Sequence, residues 1–175
     1  TFDVLYQKLK ECIQIETFNQ DTLKTLNLYN SASGYNNAAG LLADKNHFPG
    51  IDIVKFGENI SIIQKRTTFE NISVLDAYEK SIDVFRDYYQ YEVIQGADRK
   101  KMEKIPEAAF REAIANALIH RVWDVDSQIR VSMFDDRIEV VSPGGLPSGI
   151  TAEEYLSGKL SVLRNRNLAN VFYRL

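Results

Sequence analysis

Cysteine is almost missing from this chain. Cys12 stands alone, which excludes a disulfide framework and a thiolate metal cluster. Histidine is nearly as scarce: His47 and His120 have no cysteine partner and no H-x-x-x-H spacing, so the donors of a zinc site are lacking. No apolar run reaches the ~18 residues of a membrane span, and no signal peptide opens the chain, which points to a cytoplasmic protein without a membrane partner. A net charge of −3 excludes a basic surface over the whole molecule, although Lys and Arg are unevenly placed. Ser157-Gly158-Lys159 lacks the preceding glycine of a P-loop, so no helicase motor lies in this segment. Nothing resembles a nucleophile elbow, an internal repeat or a low-complexity tract.

What is present is ordinary globular material. The 175 residues, 45% hydrophobic and 26% charged, suffice for one domain, or one domain with a helical extension. Both ends read as helices cut from something longer. Phe2, Leu5, Leu9 and Cys12 recur at helical spacing, and Leu23, Leu26 and Leu28 suggest a short second helix. A turn at 30–34 and a small-residue helix from Asn36 or Asn37 to about Ala43 follow. Strands are expected at Ile51–Phe56 and from Ile60 to about Arg66, joined by Gly57-Glu58-Asn59. Ser73 opens a helix with Leu75, Tyr78, Ile82, Phe85 and Tyr89 on one face. Tyr91–Gln95 reads as a short strand, and Gly96–Lys101 as a polar, basic connection in solvent. Further on, Ile129–Met133 and Ile138–Val140 alternate around an Asp135-Asp136 turn. A last helix is expected near Asn165, with Leu168, Val171, Phe172 and Leu175 inward.

The chemistry concentrates on one helix, Ile105 to Arg121. Pro106 suits its first turn, and Glu107 suits the positive end of its dipole. Phe110, Ile114, Ala117 and Leu118 form a core stripe. Glu112, Asn116 and His120, at i, i+4 and i+8, form a second, polar face flanked by alanines that leave room for a ligand. Glu112 suits a general base, and the amide oxygen of Asn116 suits Mg²⁺. Downstream, Gly144 and Gly145 let backbone N–H groups approach a ligand within the shaped loop 142–149. The alternative is structural: Glu112 pairs with Arg111 or Arg121, and the glycines only shape a turn. Residues 151–175, with Lys159, Arg164, Arg166 and Arg174 against Glu153 and Glu154, leave a nucleic-acid contact open.

Residues 107–121 resemble the segment A-x-R-E-A-x-x-N-A-x-x-H-R-x-Y of RecG-related transcriptional regulators of bacteria. The similarity continues through Phe134–Pro147 and Gly149-Ile150-Thr151 to Ser161, Arg164, Asn165 and Leu168-Ala169, and upstream through Asn36–Leu42 and Phe48-Pro49-Gly50. Such proteins carry a Schlafen/Alba-like DNA-binding domain, a middle region and a module similar to GHKL ATPases. The resemblance implies an N-box with Glu112 as catalytic base or water orienter and Asn116 as the Mg²⁺ ligand. It adds Asn116, His120, Ser142, Gly144 and Gly145 as the ATP-contacting set, and Arg121, Ser161, Arg164 and Asn165 as further motif positions. Three departures stand out. Ser142 replaces the aspartate that binds the adenine amine, Leu146 replaces a glycine, and Val122-Trp123-Asp124 replaces the usual [DN]-Y after His-Arg. The second glycine-rich box is expected beyond Leu175.

The expected fold is α+β: a helical middle region with a hairpin (1–95), then a truncated GHKL-like α/β sandwich (96–175), a mixed sheet with helices on one face. The expected function is part of a transcriptional regulator whose module is a degenerate nucleotide-binding or dimerisation element. DNA would be met through an absent domain, and a homodimer is left open. The alternative is a Mg²⁺-dependent ATPase.

Overall fold

The computed structural model describes residues 1–96, 98–146, 149–157 and 162–175. It is an α+β fold with the element order α1 (Asp3–Ile13), α2 (Gln20–Thr25), β1 (Tyr29–Asn30), β2 (Gly34–Tyr35), α3 (Asn37–Leu42), β3 (Ile51–Phe56), β4 (Ile63–Phe69), α4 (Val74–Tyr89), β5 (Gln90–Gln95), β6 (Asp98–Glu103), α5 (Glu107–Ile119), β7 (Ile129–Met133), β8 (Ile138–Val141), α6 (Ala152–Leu156) and α7 (Arg166–Phe172).

The main sheet runs β4-β3-β7-β8. Its outer pairs are antiparallel, and β3 lies parallel to β7, with Ile51 beside Ile129 and Ile53 beside Val131. A parallel pair needs a crossover, and here the connection from β4 to β7 carries α4 and α5. Both helices pack on the face that Ile51, Ile53, Ile129, Val131 and Met133 present, where all five are buried. Phe85 of α4 stacks between Tyr89 and Phe110 of α5, at centroid distances of 5.2 and 4.7 Å. The opposite sheet face is largely polar, carrying Asp52, Arg66, Thr68, Arg130 and Glu139 on four adjacent strands, with Val54 and Val141 among them.

Helix starts follow local side-chain chemistry. The Asn19 side chain accepts from the backbones of Asp21 and Thr22, and Thr22 answers with its hydroxyl. Asn36 caps α3 through Ala39 N. Ser73 caps α4 by accepting from Leu75 N, and its own hydroxyl donates to Leu42 O. In α1 only Leu5 and Leu9 are buried, and Cys12 is exposed.

Two sequence expectations are corrected. The second strand lies three residues later, at Ile63–Phe69, because Gly57–Ile62 is a longer connection closed by the Gly57 N to Ile62 O bond. The basic connection after Gly96 is a strand, β6, paired along its whole length with β5. Every β6 side chain is exposed, so no apolar alternation marks the strand in the sequence. The five-residue α6 was also not anticipated, although Thr151 and Glu154 form a capping box that reads T-x-x-E in the sequence. One buried cluster draws on elements from both sides of residue 95, with β3 and β4 before it and β7 and β8 after it in the same sheet. Among the described residues, no helix is long and apolar enough to cross a membrane.

Candidate functional site

Helix α5 runs from a polar N-terminal anchor to a capped C-terminal end, and both ends place the polar face seen in the sequence. At the start, Glu107 accepts from Arg86 Nη2 of α4 at 2.8 Å, from Arg111 Nε at 2.8 Å and from Gln90 Nε2 at 2.7 Å. The bonds from Arg86, and less so those from Arg111, push its carboxyl down to about 2 against the cost of desolvation. At the far end, the side chain of Asn165 donates to Ile119 O (2.6 Å) and Arg121 O (3.0 Å), and Arg164 Nη1 reaches His120 O at 3.4 Å. These bonds occupy carbonyls that a helix end leaves without partners. Arg164 also donates to Gly145 O, so the diglycine loop is tied to the same helix end. Val122 N donates to Pro143 O at 3.0 Å, and Gly144 lies against the Val122 side chain.

This framework bounds an open cleft of about 830 Å³, within the size range of small-ligand sites. Glu112, Asn116, His120, Ser142, Gly144, Gly145 and Arg164 all line it, together with Ala113 and Ala117. Asn116 Nδ2 donates to Glu112 Oε1 at 2.8 Å, and both side chains are exposed to the cleft. The bond uses the amide nitrogen, so the amide oxygen has no partner among the described residues. The Ser142 hydroxyl donates to Ala117 O at 2.7 Å. Its proton is thereby committed and its lone pairs are free to accept. Val140, Leu146, Ile150 and Val162 supply apolar wall, and Tyr155 and Tyr173 stand at the margin, both exposed.

Glu112 pairs with neither Arg111 nor Arg121 among the described residues. Arg111 is taken by Glu107, and Arg121 is buried at 1% exposure, stacked 5.1 Å from the Trp123 ring and 5.9 Å from that of Phe48. Arg121 therefore lies outside the cleft. It joins the Phe48-Pro49-Gly50 segment to the end of α5, donating to Val125 O at 2.8 Å, while Nε and Nη1 have no partner among the described residues. Asn165 also acts from outside, as the cap just described. Ser161, like Lys159, lies outside the described residues. Sequence reasoning missed Tyr155 and Tyr173, which carry no periodic signal. Among the described residues, no group of three His, Cys, Asp or Glu side chains converges on a metal position.

Residues 126–175 match the family described as "Putative ATP-dependent DNA helicase recG C-terminal". This stretch is similar to a RecG-related ATPase-like module. The match covers the hairpin, the diglycine loop and α7, and begins after Glu112 and Asn116. No curated protein matches the chain. Among solved structures, the crystal structure of the DIP2311 protein from Corynebacterium diphtheriae is similar over 98% of this chain, with a TM-score of 0.75 and 25% identity. This chain covers 35% of that protein, about a third of its length.

Proposed function

We propose that this chain is the nucleotide-binding part of a RecG-related bacterial regulator, a GHKL-like module that holds Mg·ATP in the α5 cleft with little hydrolytic capacity. The observation that carries the reading is the pair on α5: Asn116 gives an amide hydrogen to Glu112, its amide oxygen has no partner among the described residues, and both residues line the cleft. A hard oxygen of this kind suits Mg²⁺, which when bound neutralises phosphate charge. The other lining groups fit the rest of a nucleotide. Ser142, its hydrogen spent on Ala117, offers lone pairs to an exocyclic amine. Gly145 brings backbone to the ligand with no neighbour crowding its Cα, and the apolar wall suits a base. The match at 126–175 supports the ATPase-like character of this C-terminal stretch. Transcriptional regulation, DNA contact through a domain outside this chain, and homodimer assembly belong to the same proposal and rest on the resemblance alone.

Calorimetric titration with ATP and Mg²⁺ tests it. Saturable binding that Asn116→Ala abolishes and Glu112→Ala retains is the expected result. Binding indifferent to Asn116→Ala would overturn the reading.

A second reading, a working ATPase, is favoured by one feature: Glu112 keeps an oxygen free at the cleft, where a carboxylate can take a proton from water. Steady-state phosphate release by a longer protein carrying this segment, lost in Glu112→Ala, would establish it. Silence of both proteins removes it.

A further inference from the structure

The polar face of the main sheet, opposite α4 and α5, holds a second concavity of about 460 Å³. Its floor is Asp52 and Arg130 on adjacent strands, its sides are Arg66, Ser127 and Gln128, and Gly144 closes one end. Asp52 is saturated. Both its oxygens are held by Arg66, through Nε at 2.8 Å and Nη2 at 3.0 Å, and Thr68 adds a hydroxyl at 3.1 Å. That arrangement has two consequences. Arg66 is locked on the sheet surface by one edge of its fork, and its Nη1 has no partner among the described residues. Arg130, directly beside Asp52 in the β3–β7 register, finds no acid left to pair with.

Two other carboxylates of these strands are engaged elsewhere, and Asp126, between the groove-lining Val125 and Ser127, makes no ion pair with Arg130. Glu139 on β8 is bonded to Arg137 at 2.8 Å, and Glu70 at the end of β4 meets only the Gln128 amide, at 3.5 Å. Arg130 makes no hydrogen bond or ion pair among the described residues. Two guanidinium groups thus share a groove with one carboxylate already neutralised, and two neutral side chains supply further donors. A planar guanidinium fork is the side chain best matched to the oxygens of phosphate and carboxylate.

We propose that this groove is an oxyanion site, distinct from the α5 cleft, in which Arg130 and the free edge of Arg66 bind a phosphate or carboxylate group. The oxyanion comes either from a free small molecule or from a nucleic-acid backbone, since both present the same oxygens.

The test is a titration of the whole chain with inorganic phosphate in chloride buffer, followed by calorimetry and by the fluorescence of Trp123, the only tryptophan, near the groove-lining Val125. Saturable binding with a dissociation constant on the order of 1 mM is expected. Arg130→Gln, an exposed change that leaves the Asp52–Arg66 pair intact, should weaken it about tenfold or more. Asn116→Ala, which alters only the cleft, should leave it unchanged. Competition with a short duplex then separates the sources: displacement of phosphate assigns the group to a nucleic-acid backbone, and no displacement assigns it to a free anion. Phosphate binding that survives Arg130→Gln, or that is lost in Asn116→Ala, overturns the site, as does absence of saturation. A thermal melt of Arg130→Gln matching that of the unsubstituted chain excludes unfolding as the cause of a loss.

Discussion

Asn116 donates to Glu112 across one turn of α5, 2.8 Å from amide nitrogen to carboxylate oxygen, and both side chains face the cleft. An exposed pair at this spacing stabilises a helix by only about 0.2–0.5 kcal/mol. Asn116→Ala should therefore leave the urea midpoint almost unmoved while nucleotide affinity falls at least about tenfold. A stability loss above about 1 kcal/mol would mean that the pair is structural rather than a ligand device.

Glu107 should be the acid-sensitive link between α4 and α5. Its folded carboxyl is held at about 2, against 4.5 for an ordinary glutamate, by Arg86 first and then Arg111. A lowered folded pKa stabilises the native state above the unfolded value, and that stabilisation fades as pH falls from about 4.5 toward 2. Glu107→Gln is expected to cost about 2 kcal/mol at pH 7 and much less at pH 3, read from urea midpoints at the two pH values.

The two loop glycines should respond oppositely to alanine. Gly144 has φ +125°, and an added Cβ would run into the Val122 side chain and press on Arg164. Gly145 has no neighbour within 4 Å of such a carbon. Gly144→Ala is expected to lose about 1–3 kcal/mol, visible as a lowered Tm, whereas Gly145→Ala should melt like the parent.

Arg121 offers a test of buried charge. Its guanidinium is stacked on Phe48 and Trp123 with two nitrogens unpartnered among the described residues, and burial lowers its pKa. Arg121→Met keeps the volume and removes the unmet donors, so stability should hold or rise by about 1 kcal/mol or more. Arg121→Ala leaves a cavity beneath Trp123 and should cost about 3 kcal/mol. Chemical denaturation followed by Trp123 emission measures both.

Much of this molecule is local in origin and could be read along the chain. Helix α4, the β7–β8 hairpin and α5 each carry an apolar face with period 2 or 3.6, and β3 is a short apolar-rich run buried on both faces, so all four were legible. The grouping of Glu112, Asn116 and His120 needed only helical spacing. Strand β6 and helix α6 were not legible from apolar pattern, because a ribbon with every side chain in solvent and a helix of five residues have no buried stripe to announce them.

Tertiary structure alone decided which polar groups stay free. The sequence could not say that Arg111 would go to Glu107 and Arg121 into a ring stack, leaving Glu112 to Asn116. It could not place Arg164 and Asn165 on the last carbonyls of α5, more than forty residues away, or set Arg130 beside an aspartate already taken by Arg66. Hydrophobic periodicity is a property of neighbours along the chain, whereas the partner of a charge is settled by whichever group the completed packing brings within 3 Å.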